Sequence, residues 1–79
     1  MMWFVYLLQC SDETLYCGMT NNLEKRLKSH NDGKGAKYTR GRRPVILLKS
    51  WEVDTKSKAL KLEHKIKQLS KKDKLALTK

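Results

Sequence analysis

A chain of 79 residues, 39% of them hydrophobic and 33% charged, has material for one modest core and no room for a separate recognition domain, because so short a chain buries only about 60% of its unfolded surface. This balance excludes a disordered tail. The formal net charge of +10 points to a polyanion partner, nucleic acid ahead of membrane, since no strongly amphipathic, aromatic-rich basic helix occurs. A solvated basic surface kept for solubility is the alternative. The charge is uneven: residues 1–33 carry three basic against four acidic side chains, and residues 34–79 carry fifteen against four. The partner surface is therefore expected on the C-terminal part.

From Trp3 to Cys10 the chain is apolar on both alternating faces, with Trp3, Val5 and Leu7 on one and Phe4, Tyr6 and Leu8 on the other, which predicts a strand covered on both sides. The longest apolar run, Met1 to Leu8, lacks a basic leader and is far shorter than the roughly 20 residues that span a bilayer. No export or anchoring signal is expected, and the location is read as cytoplasmic. Cys10 and Cys17 show neither CxxC nor metal spacing, so both are read as reduced thiols.

Ser11-Asp12-Glu13-Thr14 is a turn, and Leu15 to Thr20 returns as the second strand of a hairpin. Asn21 or Asn22 then caps a helix to about Asn31, with the Glu24/Lys28 pair on its outer face. Asp32-Gly33-Lys34-Gly35 stops it. A basic loop or short helical turn, Lys34 to Arg43, leads through Pro44 into a third strand, Val45 to Val53. Asp54 or Thr55 opens a helix of about Lys56 to Leu69, with Ala59, Leu62, Ile66 and Leu69 at helical spacing. Ser70-Lys71-Lys72-Asp73 resembles a capping box and predicts a short terminal helix. The expected fold is one α/β (α+β) domain over residues 1–79, a small three-stranded antiparallel sheet flanked by helices in the order β-β-α-(basic loop or short helix)-β-α-α.

Three polar residues are placed where an apolar face is expected. Leu23, Arg26, Leu27 and His30 stand at i, i+3, i+4 and i+7, so Arg26 and His30 share the sheet-facing side of their helix. Glu63 falls within the stripe Ala59, Leu62, Ile66, while Lys58, Lys61 and Lys65 look outward. An inward carboxylate costs several kcal/mol unless it is paired or holds a cation, and an Arg26/Glu63 ion pair or a metal ion would each meet that need.

Val5-Tyr6-Leu7, Tyr16-Cys17-Gly18, the helix Asn22 to His30 with Arg26, and the later Glu63 together resemble the GIY-YIG nuclease superfamily, most closely its small stand-alone bacterial members. The resemblance extends through Gly33 to Pro44 and Ala59 to Glu63, and covers about Trp3 to Ser70. It implies a divalent-metal site for phosphodiester cleavage, with Tyr6, Tyr16, Arg26, His30 and Glu63 at the motif positions. Glu63 would be the oxygen ligand for Mg²⁺ or Mn²⁺. Arg26 would stabilise phosphoryl oxygens with its planar fork. Tyr16 would take a proton from the attacking water, with Tyr6 positioning it; in the alternative, His30 would relay the proton or bind phosphate.

Strand parity sets a condition on this assignment. Tyr6 and Tyr16 share a face only when the turn has an odd number of residues, such as Asp12-Glu13-Thr14, or a bulge, and that geometry puts Cys10 and Cys17 on opposite faces. Free thiols are therefore expected. Lys34, Lys37, Arg40, Arg42 and Arg43, with Tyr38 among them and no acid, are the candidates for gripping a phosphate backbone, Tyr38 by stacking or phosphate contact. Five such contacts imply a log–log salt slope of roughly −4 to −5 on duplex DNA. No asparagine occurs between His64 and Lys79, where many members of the superfamily carry one, and no second domain supplies a target. The expectation is a monomer that cleaves DNA rather than RNA, directed by substrate structure or by a protein partner. A nucleic-acid-binding module of weak or no catalysis and a small protein-interaction domain are the alternatives.

Overall fold

A computed structural model describes residues 2–78. The elements follow the expected order: β1 (Trp3–Gln9), β2 (Leu15–Thr20), α1 (Leu23–Asn31), α2 (Lys37–Arg40), β3 (Ile46–Val53), α3 (Lys56–Lys67) and α4 (Lys71–Ala76). The strands form one antiparallel sheet in the order β2-β1-β3. The central position of β1 explains its doubly apolar sequence, since Val5, Tyr6, Leu7 and Leu8 are each at most 1% exposed.

The hairpin meets the parity condition by a turn one residue earlier than Asp12-Glu13-Thr14. The Cys10 N–H donates to the Thr14 carbonyl at 2.8 Å and the Glu13 N–H to the Cys10 carbonyl at 2.9 Å, leaving Ser11-Asp12-Glu13 as a three-residue loop. Glu13 takes the left-handed conformation at φ 69°, and Asp12 Oδ1 accepts from the Thr14 hydroxyl at 2.6 Å and the Thr14 N–H at 3.2 Å. Tyr6 consequently pairs with Gly18 and Leu8 with Tyr16, so both tyrosines lie on one face. Cys10 and Cys17 are free, on opposite faces.

Each face has its own helix. Val5, Leu7 and Cys17 pack against Ala59 and Ile66 of α3, with Leu62, Trp51 and Val53 at the margin. Tyr6, Leu8, Cys10 and Val45 pack against Tyr16 and against Leu23 and Leu27 of α1. Asn22, Thr55 and Ser70 cap α1, α3 and α4 by accepting the N–H of Lys25, Lys58 and Asp73 at 3.1, 3.1 and 3.2 Å. Helix α1 stops where Gly33, at φ 79°, donates to the His30 carbonyl and Lys34 to the Ser29 carbonyl.

The element ends differ slightly from expectation. β1 ends at Gln9 because Cys10 belongs to the turn, and α3 ends at Lys67, with Gln68 rather than Leu69 closing it. β3 starts at Ile46 because the Asn31 side chain takes both backbone groups of Val45, accepting its N–H at 2.8 Å and donating to its carbonyl at 3.3 Å.

Candidate active site beneath the first helix

On the α1 face, a chain of hydrogen bonds crosses three elements. Arg26 Nε donates to the Tyr6 hydroxyl at 3.3 Å, that hydroxyl lies 2.9 Å from His30 Nε2, and His30 Nδ1 lies 2.8 Å from the Thr39 hydroxyl. The Thr39 hydroxyl donates to the Ala36 carbonyl at 3.0 Å. One proton arrangement satisfies every buried group: Nδ1–H donates to Thr39, and Nε2 accepts the Tyr6 proton, which has no other described acceptor. The Ala36 amide approaches Nδ1 at 3.5 Å, too long to outweigh the shorter contacts.

Burial decides the charges. Desolvation raises the Tyr6 phenol above its ordinary value despite the opposing hydrogen bond and charge of Arg26, so Tyr6 stays protonated at neutral pH. Desolvation first, and then the Arg26 charge, holds the fully buried His30 below its ordinary value, so the imidazole is neutral. Arg26 remains the fixed cation, its hydrogen bond to Tyr6 raising it further, and its guanidinium also interacts with Tyr16. Tyr16 lies edge-on to His30 at 5.4 Å between centroids and tilted to Tyr6 at 6.4 Å. An open cleft of about 250 Å³ lined by Thr20, Asn21, Asn22, Lys25, Arg26 and Ser29 runs from Arg26 along α1.

The structure brings together Tyr6, Tyr16, Arg26 and His30, and does not form the Arg26/Glu63 ion pair that stood as the alternative to a metal ion. Glu63 belongs to α3, on the other layer, where it pairs with Lys67 at 3.4 Å rather than with Arg26. Its side chain is 18% exposed, and its charge bears on both Cys17 and Tyr6. Desolvation, with Glu63 adding to it, pushes the Cys17 thiol up to about 11. Among the described residues no group of three or more His, Cys, Asp or Glu side chains is arranged for a metal ion. A single carboxylate fits Mg²⁺ or Mn²⁺, which keep most of their waters and take substrate phosphate oxygens, and does not fit an ion caged by protein alone.

The basic loop divides. Arg42 donates to Asp12 at 3.1 Å and to the Tyr38 carbonyl at 2.7 Å, and Arg43 donates to the carbonyls of Arg40 at 3.1 Å and Asn31 at 3.3 Å. Lys34, Lys37 and Arg40 carry no described side-chain partner. Tyr38 stacks on Tyr16 instead of standing free.

Two glycines make the site close. A Cβ on Gly18 would fall on the Tyr6 hydroxyl and 2.6 Å from its ring, so the cross-strand partner of Tyr6 must lack a side chain. A Cβ on Gly35 would fall on the His30 ring, which is how the loop brings Thr39 to the imidazole. Thr39, fully buried, was not legible as a site residue, because nothing in its spacing marks it. Asp12 and Arg42 were likewise invisible as a pair across thirty residues.

The chain is a small mixed α+β domain with a hydrogen-bonded tyrosine–histidine–arginine cluster between hairpin and helix. The chain belongs to the GIY-YIG family, whose catalytic-domain model matches residues 2–76. It is 56% identical over 77 residues to a UPF0213 protein of Syntrophus aciditrophicus, covering 96% of this chain and 88% of that one. It is also 56% identical over 78 residues to the UPF0213 protein YsiG of Lactococcus lactis, covering 98% and 75%. The NMR structure of a UPF0213 protein of Bacillus halodurans matches with 43% identity and a TM-score of 0.62 over 98% of this chain and 82% of that one. That of a protein of E. faecalis matches with 39% identity and a TM-score of 0.64, covering 98% and 83%. Among the described residues no helix is long and apolar enough to cross a membrane.

Proposed function

We propose that this chain is a divalent-metal-dependent endonuclease that hydrolyses phosphodiester bonds in DNA, acting as a monomer directed by substrate structure or by a protein partner. The observation that carries this reading is the Arg26–Tyr6–His30 chain beside Tyr16, with the charge of Glu63 bearing on Tyr6, in a protein of net charge +10. Arg26, the fixed cation, holds the phosphoryl oxygens as charge builds on them. Tyr16, half-buried beside Tyr6 and His30, takes the proton of the attacking water. Tyr6 stays protonated and, with His30, keeps Arg26 in place. Glu63 would hold Mg²⁺ or Mn²⁺, releasing Lys67; the bound ion would neutralise phosphate charge and make water more acidic. The free thiols agree with a cytoplasmic site of action.

Lys34, Lys37 and Arg40 grip the backbone of the nucleic acid, which reduces the expected loop contribution to the salt slope to roughly −3 on duplex DNA. A second reading, a binding module of weak or no catalysis, is favoured by the Lys67 contact that occupies the Glu63 carboxylate. One comparison separates them. The protein, Glu63→Gln and Arg26→Ala are incubated with supercoiled, branched and single-stranded DNA and with RNA, with Mg²⁺, Mn²⁺ or chelator. The nuclease reading expects cleavage that chelator abolishes and that each substitution lowers by about 10²- to 10³-fold. Salt-sensitive binding without metal-dependent cleavage in the wild type would establish the second reading.

A further inference from the structure

The aromatic cluster extends beyond Tyr16 to the loop that the charge pattern reserves for nucleic acid. Tyr38 stacks on Tyr16 at 5.8 Å between centroids and 25° between planes. On the Tyr38 ring lies the Arg42 guanidinium, its Cζ 4.2 Å from the centroid, while Nη1 donates to the carbonyl of Tyr38 itself at 2.7 Å. One side chain thus holds both the ring and the backbone of Tyr38. Arg42 Nε in turn donates to Asp12 Oδ2 at 3.1 Å, and the Ser11 N–H donates to the Arg42 carbonyl at 2.8 Å. Asp12 is itself fixed by Thr14 through its other oxygen. The hairpin turn is therefore tied to the basic loop by side chain and by backbone.

Tyr6 and His30 reach Tyr16 only at tilted or edge angles, so Tyr38 alone among the three supplies a stacked face. Arg42 spends its planar fork and its cation–π face on this stack, which withdraws it from phosphate. We propose that Asp12, Arg42 and Tyr38 form a positioning clamp that fixes the ring of Tyr16. None of the three touches the reacting atoms; each acts through Tyr16. The effect on rate rests on the phosphodiesterase reading above, and the effect on the ring does not.

The test uses the full chain with Tyr38→Ala, Tyr38→Phe, Arg42→Ala, Arg42→Lys and Asp12→Asn, and Lys37→Ala for comparison. NMR of the Tyr16 ring protons is recorded without nucleic acid, and kcat, KM and the salt slope of DNA binding are measured beside it. Tyr38→Ala is expected to shift the Tyr16 ring resonances and to lower kcat about tenfold at nearly constant KM, the signature of a misplaced reacting group. Tyr38→Phe restores both. Arg42→Ala, Arg42→Lys and Asp12→Asn move the same resonances by less, and Arg42→Ala leaves the salt slope unchanged, whereas Lys37→Ala flattens it by about 0.9. Unmoved Tyr16 resonances in Tyr38→Ala and Arg42→Ala overturn the clamp. So does an Arg42→Ala protein whose salt slope flattens by about 0.9 with kcat intact, the mark of a phosphate contact. A wild type that cleaves no nucleic acid removes the phosphodiesterase reading alone, and the ring resonances still decide the clamp.

Discussion

Alternate residues of β1 are buried to the same extent on two faces that serve different ends. Val5 and Leu7 meet Ala59, Leu62 and Ile66, an apolar layer in which area and fit are the whole interaction. Tyr6 and Leu8 meet α1, and there the same burial encloses His30 and Thr39, both 0% exposed, in a fully partnered hydrogen-bond chain. The comparison separates stability from chemistry. The apolar face of α3, from Ala59 to Ile66, holds the sheet in shape, with Glu63 the one residue of that helix given a part in the chemistry, while the α1 layer uses low dielectric to keep Tyr6 protonated and His30 neutral.

Substitutions should divide along the same line. Leu7→Ala is expected to cost about 2–5 kcal/mol of stability, read from urea unfolding, and to leave the cleavage rate of the folded fraction unchanged. A matched loss of kcat in the folded fraction would break the separation. Gly18→Ala forces the Tyr6 ring aside, so about 1–3 kcal/mol is expected together with a large loss of cleavage. Tyr6→Phe keeps the volume and removes the link between Arg26 and His30; roughly 1–2 kcal/mol should be lost, and kcat should fall far more than that stability change suggests. Thr55→Ala, at the α3 cap, should cost about 1 kcal/mol in the same unfolding assay without touching cleavage.

The smallest effect is expected from titration. His30 is held below its ordinary value in the fold, so the unfolded chain takes up a proton near pH 6.5 that the folded chain refuses. The stability contributed by the neutral imidazole is therefore complete above about pH 6.5 and is lost as pH falls toward the folded value. Urea midpoints at pH 7.5 and 5.0 measure it. His30→Gln should flatten the difference, and Leu7→Ala should preserve it; the opposite pattern would place the pH dependence outside the α1 layer.

Much of this was legible in the sequence because short-range patterns carry it. An apolar run on both faces marked the central strand, the spacing of Leu23, Arg26, Leu27 and His30 marked a polar face turned inward, and Asn21 or Asn22, Asp54 or Thr55, and Ser70 stood where helix starts need an acceptor. Parity reduced the relation of Tyr6 to Tyr16 to one question, the length of the turn. The Arg26/Glu63 ion pair, the alternative to a metal ion at Glu63, is not formed because α1 and α3 lie on opposite faces of the sheet, and helical periodicity says which side points inward without saying which face of the sheet it meets.

The sequence by itself determined the elements, the doubly buried central strand, the excess of charge after residue 33 and the likeness to GIY-YIG nucleases, since each depends on residues near one another in the chain or on motifs in fixed order. Only the tertiary structure decided which cations are free. Among five in the loop, Arg42 and Arg43 are taken by Asp12 and by backbone carbonyls, because carbonyls and carboxylates brought close by folding compete for a guanidinium before any phosphate arrives. Tertiary structure likewise turned Tyr38 from a free stacking surface into a neighbour of Tyr16, and gave Thr39 and Gly35 their place around His30. These contacts join residues between three and thirty positions apart, through loops whose path no local propensity dictates.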